Sequence, residues 1–361
     1  MNFSPLNQIH VDLGAKMIDF HGFYLPVEYS GIKEEHLAVR NTAGIFDISH
    51  MGEITVKGSN ASEFLQYVCS NDINSLTNGK AQYNYFPNGK GGIVDDLIVY
   101  KIDDNDFFLV VNASNIEKDF EWLKANKFGD VQIENESSQY AQIALQGPKS
   151  QEILQKIASF DLSSIANFGF VYKLVLDNIQ VLISRTGYTG AGGFELYLKK
   201  ENAAYIWNTI LKYGSSEGLM PIGLGARDTL RLEMGYCLYG NEIDDTTSPI
   251  EAGLGWITKS QKKSKMIDKE FLDSEMKKLP IKKLVGLEII ERGIPRTGYQ
   301  VFDKNENLIG QITSGSISPI TNKGIGIAYL KTDNLNLGDE VFVSIRNKMV
   351  AAKVKKFPLY Q

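Results

Sequence analysis

Two adjacent aspartates at the start of an apolar run are the strongest candidates for chemistry in this sequence. Residues 91–100 read Gly-Gly-Ile-Val-Asp-Asp-Leu-Ile-Val-Tyr. The β-branched and aromatic residues from Leu97 to Tyr100 predict a buried strand, and the paired glycines permit a tight turn before it. Because successive side chains of a strand point to opposite faces, one of Asp95 and Asp96 can face a cavity while the other caps the turn or meets solvent. The competing interpretation is that both are ordinary turn residues.

A glycine-rich stretch near the middle of the chain is the second candidate. Residues 184–195 read Ser-Arg-Thr-Gly-Tyr-Thr-Gly-Ala-Gly-Gly-Phe-Glu, and the backbone of such a loop can approach a ligand closely. Glu195 lies at the edge of this loop, in a predicted strand Phe194–Leu198. The pattern of a phosphate loop is absent, and Gly223 and Gly225 have neither a preceding strand nor a third glycine in the sequence pattern. We therefore expect no nucleotide site.

The elements that must position these residues alternate between helix and strand. Between residues 53 and 136 the predicted order is βαβββαβ, which indicates a compact α+β subdomain. Asn115 is a plausible N-cap for its second helix. Residues 103–106, Asp-Asp-Asn-Asp, predict a hairpin turn rather than a calcium loop, because the central glycine and the closing glutamate are missing. From about Lys282 onward, short strands alternate with turn residues, which indicates an all-β module.

Composition and charge exclude several classes of protein. A chain of 361 residues with 43% hydrophobic and 22% charged residues is typical of a globular protein with two or three domains. No stretch approaches the roughly 20 apolar residues of a membrane helix, and the N-terminus lacks a signal peptide. The formal charge of −5 argues against general nucleic-acid binding. Two cysteines and four scattered histidines suggest neither a disulfide framework nor a metal site, and we expect a cytoplasmic protein.

Several motifs, in the same order and at the same spacing, resemble those of the aminomethyltransferase (T protein) family of the glycine cleavage system. The resemblance extends from Pro5 to Tyr360. No single motif is specific, but together they identify the family. The motifs are Asp19-Phe20-x-Gly22, Phe46-Asp47-Ile48-Ser49-His50-Met51, Gly91-Gly92-x-x-Asp95-Asp96-Leu97, Ser184-Arg185-Thr186-Gly187-Tyr188-Thr189-Gly190, Gly223-Leu224-Gly225-Ala226-Arg227-Asp228 and Leu238-Tyr239-Gly240-Asn241.

The resemblance implies an α+β fold, a three-domain cloverleaf around a central folate channel. A first α+β domain would comprise residues 1–50 and 137–245, and a ferredoxin-like α+β domain residues 51–136. Residues 246–280 would be a packing segment or linker, and residues 281–361 a C-terminal all-β, barrel-like domain.

The resemblance also implies an activity and its partners. The family takes the aminomethyl group carried on the dihydrolipoyl arm of the H protein, forms 5,10-methylenetetrahydrofolate and releases ammonia. Tetrahydrofolate would thus be a co-substrate, without metal, pyridoxal phosphate or nucleotide. The H protein would be the direct partner, the P and L proteins would be functional partners, and no nucleic acid or membrane is involved.

The family's functional residues can be placed on this chain motif by motif. Asp96 matches the catalytic carboxylate. Glu195, which could bind an amide-like edge of the pterin bidentately, and Arg227 match the ligand-contacting acid and base. The other expected folate-binding positions are two aromatic residues, three wall residues and a tentative contact in the tail: Tyr83, Tyr188, Met51, Val111, Asn112 and Tyr360.

Two departures and two alternatives accompany the resemblance. Ala191 replaces a residue that is more often acidic, and the tail lacks an arginine-bearing extension. One alternative is a folate-binding maturation factor for iron–sulfur proteins and tRNA modification, whose motif agrees here only at Cys237, Gly240 and Glu242. The other is a folate-dependent demethylase domain. Residues 259–283 carry nine lysines and four acidic residues, which suggests either a docking surface for an acidic partner or a solvated linker.

Overall fold

The computed structural model describes residues 1–174, 178–333 and 335–360, which form two compact units. The first unit consists of three segments, Met1–Gln66, Ile73–Asn84 and Leu97–Asp228. The second unit also consists of three segments, Tyr67–Asp72, Tyr85–Asp96 and Thr229–Gln361. The division into three domains stays a prediction.

The helices and strands have the following bounds. The helices are α1 Asn7–Asp12, α2 Ile32–Asn41, α3 Ala61–Val68, α4 Ile116–Ala125, α5 Ser150–Gln155, α6 Ala203–Gly214, α7 Leu224–Met234 and α8 Lys269–Glu275. The strands are β1 Asn2–Phe3, β2 Lys16–Phe20, β3 Phe23–Glu28, β4 Ala43–Asp47, β5 Gly52–Lys57, β6 Lys80–Pro87, β7 Ile93–Asp103, β8 Asp106–Val111, β9 Gln132–Asn135, β10 Tyr140–Gln146, β11 Phe170–Leu174, β12 Gln180–Ser184, β13 Gly193–Lys199, β14 Leu219–Pro221, β15 Lys282–Ile289, β16 Gln300–Phe302, β17 Leu308–Ile317, β18 Gly324–Lys331, β19 Glu340–Ile345 and β20 Lys348–Lys355.

A six-stranded sheet forms the centre of the first unit. Its strand order is β11-β12-β13-β10-β4-β14, and β1, β3 and β2 form a separate small sheet. Alternate residues of β10 and β13 enter a large apolar core with helices α5 and α6, whose Trp207 is fully buried. The residues between them on β13, Glu195 and Tyr197, point to the opposite face of the sheet. This alternation places the candidate carboxylate away from the main core.

The N-terminal segment is held to this sheet by buried polar contacts. His10 Nε2 lies 2.8 Å from Asp47 Oδ2, and the Tyr29 hydroxyl lies 2.8 Å from His10 Nδ1. Ser4 donates a hydrogen bond to the same Asp47 oxygen. Since all the polar groups of this cluster find partners, its burial costs little. The cluster fixes α1 against the end of β4.

A five-stranded sheet contains the first candidate stretch. Its strand order is β6-β7-β8-β5-β9, and with α3 and α4 it gives the predicted βαβββαβ order, which is confirmed. The predicted hairpin between β7 and β8 is also confirmed, with the Asn105 amide donating to Asp103 Oδ1. Asn115 does precede α4, but its side chain makes no capping hydrogen bond, so that part of the prediction is wrong.

The C-terminal part of the second unit is a closed barrel. Six strands follow the order β15-β18-β17-β16-β19-β20, and β15 pairs with both β18 and β20. Inward-facing valines, leucines and isoleucines fill it, as period-two alternation requires. No helix is present in the described residues from Lys282 onward, in agreement with the sequence. The α+β class and the C-terminal barrel are therefore confirmed. None of the helices in the described ranges has the length and apolarity to cross a membrane.

Candidate functional site

The two candidate aspartates lie inside a strand rather than at its mouth. Strand β7 has 11 residues and begins at Ile93, so Asp95 and Asp96 are its third and fourth residues. Asp95 is fully buried, whereas Asp96 is half-buried. The interpretation of both residues as turn residues is therefore wrong, while the prediction that they face opposite sides is consistent with the strand.

The surroundings of Asp96 within the second unit are polar. Burial, together with the negative charges of Glu242 and Asp96, raises the pKa of the Cys237 thiol. Cys237 therefore lies among charged groups. Just before β7, a side chain at Gly92 would overlap the backbone carbonyl of Asp245, which explains the glycine at that position. These contacts fix the strand end that carries Asp96.

A buried glutamine holds the glycine-rich loop in place through hydrogen bonds. Gln146, at the end of β10, donates from Nε2 to the Thr186 and Phe194 carbonyl oxygens at 3.1 and 3.3 Å. Its Oε1 accepts from the Thr189 hydroxyl at 2.8 Å. A side chain at Gly187 would overlap the Gln146 amide, so the loop backbone can lie this close only as glycine. The hydrogen bonds and close packing against Gln146 therefore hold the loop backbone in one conformation.

Glu195 follows this loop on β13 and is buried, with 8% of its surface exposed. Its Oε2 accepts a hydrogen bond from the Thr186 hydroxyl at 2.5 Å and a longer one, at 3.5 Å, from Tyr197. Burial raises the pKa of Glu195, while Thr186, the charge of Arg227 and Tyr197 oppose that rise. The carboxyl group is thus desolvated but has partners for its charged form.

Arg227 and Tyr188 lie beside Glu195. The Arg227 guanidinium lies over the Tyr188 ring at 4.7 Å from its centroid, a cation–π contact. Arg227 is in the first turn of α7, and that turn is fixed by a buried carboxylate, Glu35. Glu35 Oε2 accepts from the Gly223 amide at 2.7 Å. The structure therefore brings together three of the predicted ligand-binding residues of the first unit.

The structure contains a short strand before Gly223 and Gly225, where the sequence pattern indicated none. Strand β14, Leu219–Pro221, immediately precedes Gly223 and pairs in parallel with β4, whereas the sequence suggested no strand there. With only three residues, this strand is too short to produce a recognisable alternation. The third glycine of a dinucleotide fingerprint is still absent.

His50 is a member of this site that the sequence analysis did not include. It is buried, and burial together with the charges of Arg227 and His21 lowers its pKa to about 3. Its Nδ1 has no hydrogen-bond partner in the described residues. At neutral pH it is therefore an uncharged imidazole beside Arg227. Its position in the motif Phe46–Met51 was the available signal.

Glu53 is a second buried group near this site, on β5. It is 1% exposed, and its Oε1 has no partner among the residues described. Burial raises the pKa of Glu53 well above its ordinary value of 4.5 and so favours its neutral, protonated form. In its ionised form Glu53 would raise the pKa values of the nearby Tyr197 and Tyr140 hydroxyl groups.

We expect Glu53→Gln to change how stability depends on pH. Above pH 4.5 the unfolded chain releases a proton that the folded chain retains, so the Glu53 contribution to stability falls as pH rises, by up to about 1.4 kcal/mol per pH unit. The variant lacks this loss, so its stability relative to the parent should increase between about pH 4.5 and 7. Urea unfolding across that range measures the difference. Glu134→Gln, at an exposed position on β9, is the matched control; parallel curves for Glu53→Gln and the parent would contradict the prediction.

The remaining predicted residues lie at defined places in the two units. Met51 packs against an aromatic cluster that includes Tyr100, Phe108 and Tyr197. Tyr83 is half-buried on β6, Val111 is buried at the end of β8, and Asn112 follows it. In the second unit, the Tyr360 hydroxyl lies 3.5 Å from Met234 Sδ. Their roles as ligand contacts stay predictions.

The chemistry available here is that of an acid–base pair beside an aromatic surface. A desolvated carboxyl group, a guanidinium and a tyrosine ring suit a flat polar ligand that presents both donors and acceptors. Within the described ranges, no group of three or more His, Cys, Asp or Glu residues could hold a metal ion.

Comparison with known proteins identifies the family. The model for the GCVT N-terminal domain matches residues 6–262, and the model for the glycine cleavage T-protein C-terminal barrel domain matches residues 282–361. Aminomethyltransferase from Phocaeicola vulgatus is 49% identical over 358 residues, which cover 99% of each chain. Aminomethyltransferase from Flavobacterium psychrophilum is also 49% identical, over 366 residues and the whole of both chains.

A solved structure agrees with these sequence matches. The crystal structure of the glycine cleavage system aminomethyltransferase T from Bartonella henselae is similar with a TM-score of 0.91 and 35% identity, covering 99% of this chain and 98% of the other. The full-length agreement with transferases favours this family over a folate-binding maturation factor. The chain therefore belongs to the aminomethyltransferase (T protein) family of the glycine cleavage system.

Proposed function

We propose that this aminomethyltransferase transfers the one-carbon unit from the aminomethyl-loaded H protein to tetrahydrofolate and releases ammonia. The observation that carries the proposal is the group formed by Glu195, Arg227 and Tyr188, in a chain that matches transferases over its full length. The scarcity of cysteine also supports a reducing compartment such as the cytoplasm.

The residues of this group fit tetrahydrofolate. A pterin ring is flat, and its amide-like edge carries hydrogen-bond donors that a carboxylate such as Glu195 accepts. The Tyr188 ring offers a flat surface, and the Arg227 guanidinium suits a carbonyl oxygen. When bound, tetrahydrofolate supplies the nucleophilic nitrogen that accepts the one-carbon unit. Glu195 and Arg227 would hold and orient the ring.

We assign Asp96 to the reaction itself. A half-buried carboxylate can orient a reacting amine by accepting a hydrogen bond from its N–H group, and it can take up the proton that the nitrogen loses as it attacks. Asp96 is fixed by its strand, and the fully buried Asp95 beside it restricts the strand to one register. The isosteric replacement Asp96→Asn therefore tests the charge without disturbing the strand.

The decisive experiment is ammonia release from aminomethyl-loaded H protein, with and without tetrahydrofolate. Fast release that requires folate, with methylenetetrahydrofolate as product, would establish the transferase. If folate binds but ammonia is not released, the proposal fails, and Cys237 becomes the residue to examine.

We propose the lysine-rich segment 259–283 as part of the surface that docks the H protein. Several of its lysines are exposed, whereas Lys263 is buried and donates to the Cys69 carbonyl oxygen at 2.5 Å. In the same unit, Trp256 is 62% exposed, and Gly255 beside it approaches Met276 at the end of α8. An apolar residue close to exposed lysines suits an acidic protein surface.

Charge reversal at two exposed lysines should weaken this association. We expect the double variant Lys265→Glu, Lys277→Glu to bind the H protein roughly tenfold less tightly at low salt, with the difference shrinking as salt rises. Calorimetry at two salt concentrations measures both effects. Lys127→Glu, at an exposed position in the first unit, is the control. Equal affinities for parent and double variant at low salt would place the docking surface elsewhere.

A further inference from the structure

Glu195 is connected to a chain of buried hydroxyl groups that the proposed function does not use. The Tyr100 hydroxyl lies 2.8 Å from that of Tyr197, which in turn reaches Glu195 Oε2. Thr186 Oγ1 lies 3.0 Å from Ser184 Oγ and 3.3 Å from the Tyr100 hydroxyl. All of these residues are at least nine-tenths buried and belong to the first unit.

The protons of these hydroxyl groups can be assigned in one consistent direction. Each hydroxyl has one hydrogen to donate, and Thr186, which can donate to Ser184 or to Glu195, donates to Glu195 because that contact is the shorter, at 2.5 Å against 3.0 Å. Similarly, Tyr100 donates to Tyr197, and Tyr197 donates to Glu195. Both branches end on the same oxygen, Oε2, and fill its two lone pairs. Such an arrangement stabilises the carboxylate over the carboxylic acid, because the acid would lose at least one acceptor site.

We propose that the hydroxyl groups of Thr186, Tyr197 and Tyr100 act as positioning groups. They hold Glu195 as an oriented carboxylate and leave its Oε1 for the donors of a bound ligand. The inference rests on the proposed function only in taking the pterin edge as that ligand. The aromatic bodies of Tyr100 and Tyr197 also fill the cluster with Phe108 and Phe170, so their hydroxyl groups are held in place by packing.

The charged and titratable neighbours of Glu195 make its ionisation measurable. Arg227 keeps its charge at all relevant pH values, and it favours the carboxylate. Burial lowers the pKa of His50 to about 3, so His50 is neutral near pH 6, whereas burial raises the pKa of Glu53 and favours its neutral form. Burial raises the pKa of Tyr100 to values beyond this range, and that of Tyr197 well above its ordinary value. Among these groups, Glu195 is the carboxyl group that two of the hydroxyl groups contact directly, so its own titration reports their effect.

The test compares Thr186→Val, which removes one donor without changing the shape of the side chain, with Thr186→Ser, which keeps the donor. Isotope-edited infrared spectroscopy, with the Glu195 signal assigned through Glu195→Gln, reports the protonation of this carboxyl group without any ligand. We expect the midpoint of its titration to rise by about one pH unit in Thr186→Val, which is about 1.4 kcal/mol. Tyr197→Phe should shift it less, because its hydrogen bond is longer, and Thr186→Ser should match the parent.

Binding of tetrahydrofolate gives the second readout. In Thr186→Val the affinity should fall by up to about tenfold at pH values where Glu195 is protonated only in the variant, and it should recover at higher pH as Glu195 ionises in both proteins. An unchanged titration midpoint in Thr186→Val would overturn the inference, and so would an equal loss of affinity at every pH together with a lower melting temperature, which would indicate a merely structural role. Failure of the parent to bind tetrahydrofolate would refute the proposed function instead, while the infrared titration would still decide the role of the hydroxyl groups.

Discussion

Replacing Asp96 by asparagine should reduce the rate of aminomethyl transfer by about 10²- to 10⁴-fold, the contribution typical of a positioned acid or base. Asparagine has the same shape and remains compatible with the interior of β7, but its amide cannot take up the proton that the attacking nitrogen loses. Because the change affects the reaction rather than the holding of the ring, folate affinity should stay within a few-fold of the parent. Single-turnover ammonia release and equilibrium folate binding measure the two quantities.

Variants of the proposed folate-binding residues should have the opposite effect to Asp96→Asn, on binding rather than on the reaction. Glu195→Gln and Arg227→Lys should weaken folate binding, because they remove the carboxylate and the planar guanidinium of the group beside Tyr188. If Asp96→Asn lowers binding and turnover by equal factors, Asp96 is a ligand contact and the catalytic assignment is wrong. A circular dichroism melt of each variant excludes a folding defect as the cause of either result.

Breaking the buried ion pair between Arg231 and Glu242 should cost about 3–5 kcal/mol of stability. Both side chains are almost fully buried, and Arg231 Nη1 lies 2.8 Å from Glu242 Oε2. Arg231 Nη2 also donates to Ser314 at 2.8 Å, and Thr313 donates to Glu242 Oε1 at 2.7 Å. Glu242→Gln removes the countercharge that lies 2.8 Å from the buried Arg231 guanidinium. The pair joins α7 to the segment after it and to β17.

Urea unfolding measures this loss. The exposed pair Lys278–Glu275, with an N–O distance of 2.7 Å, is the matched control, and Glu275→Gln should cost less than 1 kcal/mol. The double replacement Arg231→Met, Glu242→Leu should be less damaging than either single change, because it removes both charges of the pair together. A loss below about 1 kcal/mol in Glu242→Gln would mean that water reaches the pair and that it is not a stability determinant.

Local sequence patterns predicted which helices and strands form better than they predicted where strands begin and how they pair. The alternation between residues 53 and 136 is long and regular, and it gave the correct order of strands and helices. The sequence places Asp95 and Asp96 at the start of the strand, because two consecutive polar residues indicate a strand boundary. In the structure, β7 begins before them and includes both. Strand β14 was missed because it exists only through its parallel pairing with β4.

The candidate site shows the same limit. Motifs located Glu195, Arg227 and Tyr188, which the fold then brings together. The sequence predicted Tyr100 correctly as a buried strand residue, but its hydroxyl partner Tyr197 lies 97 positions away, and no pattern along the chain connects them. Glu53 also looked like an ordinary strand residue in the sequence. Its burial without a hydrogen-bond partner for Oε1 among the described residues depends on the aromatic rings that surround it in the fold. Contacts of this kind follow from tertiary packing rather than from local propensity.

The closed barrel also bears on how the protein behaves in concentrated solution. A barrel has no unpaired strand edge, and therefore no backbone groups that could template pairing between molecules. The open sheets of the first unit do have edges, and their outer strands carry residues that obstruct such pairing: Lys16 on β2, Glu134 on β9, Lys173 on β11 and Pro221 on β14. Charges and a missing amide at these positions oppose the strand-by-strand addition that begins fibril growth. The edge strands that carry these residues are therefore poor templates for pairing between molecules.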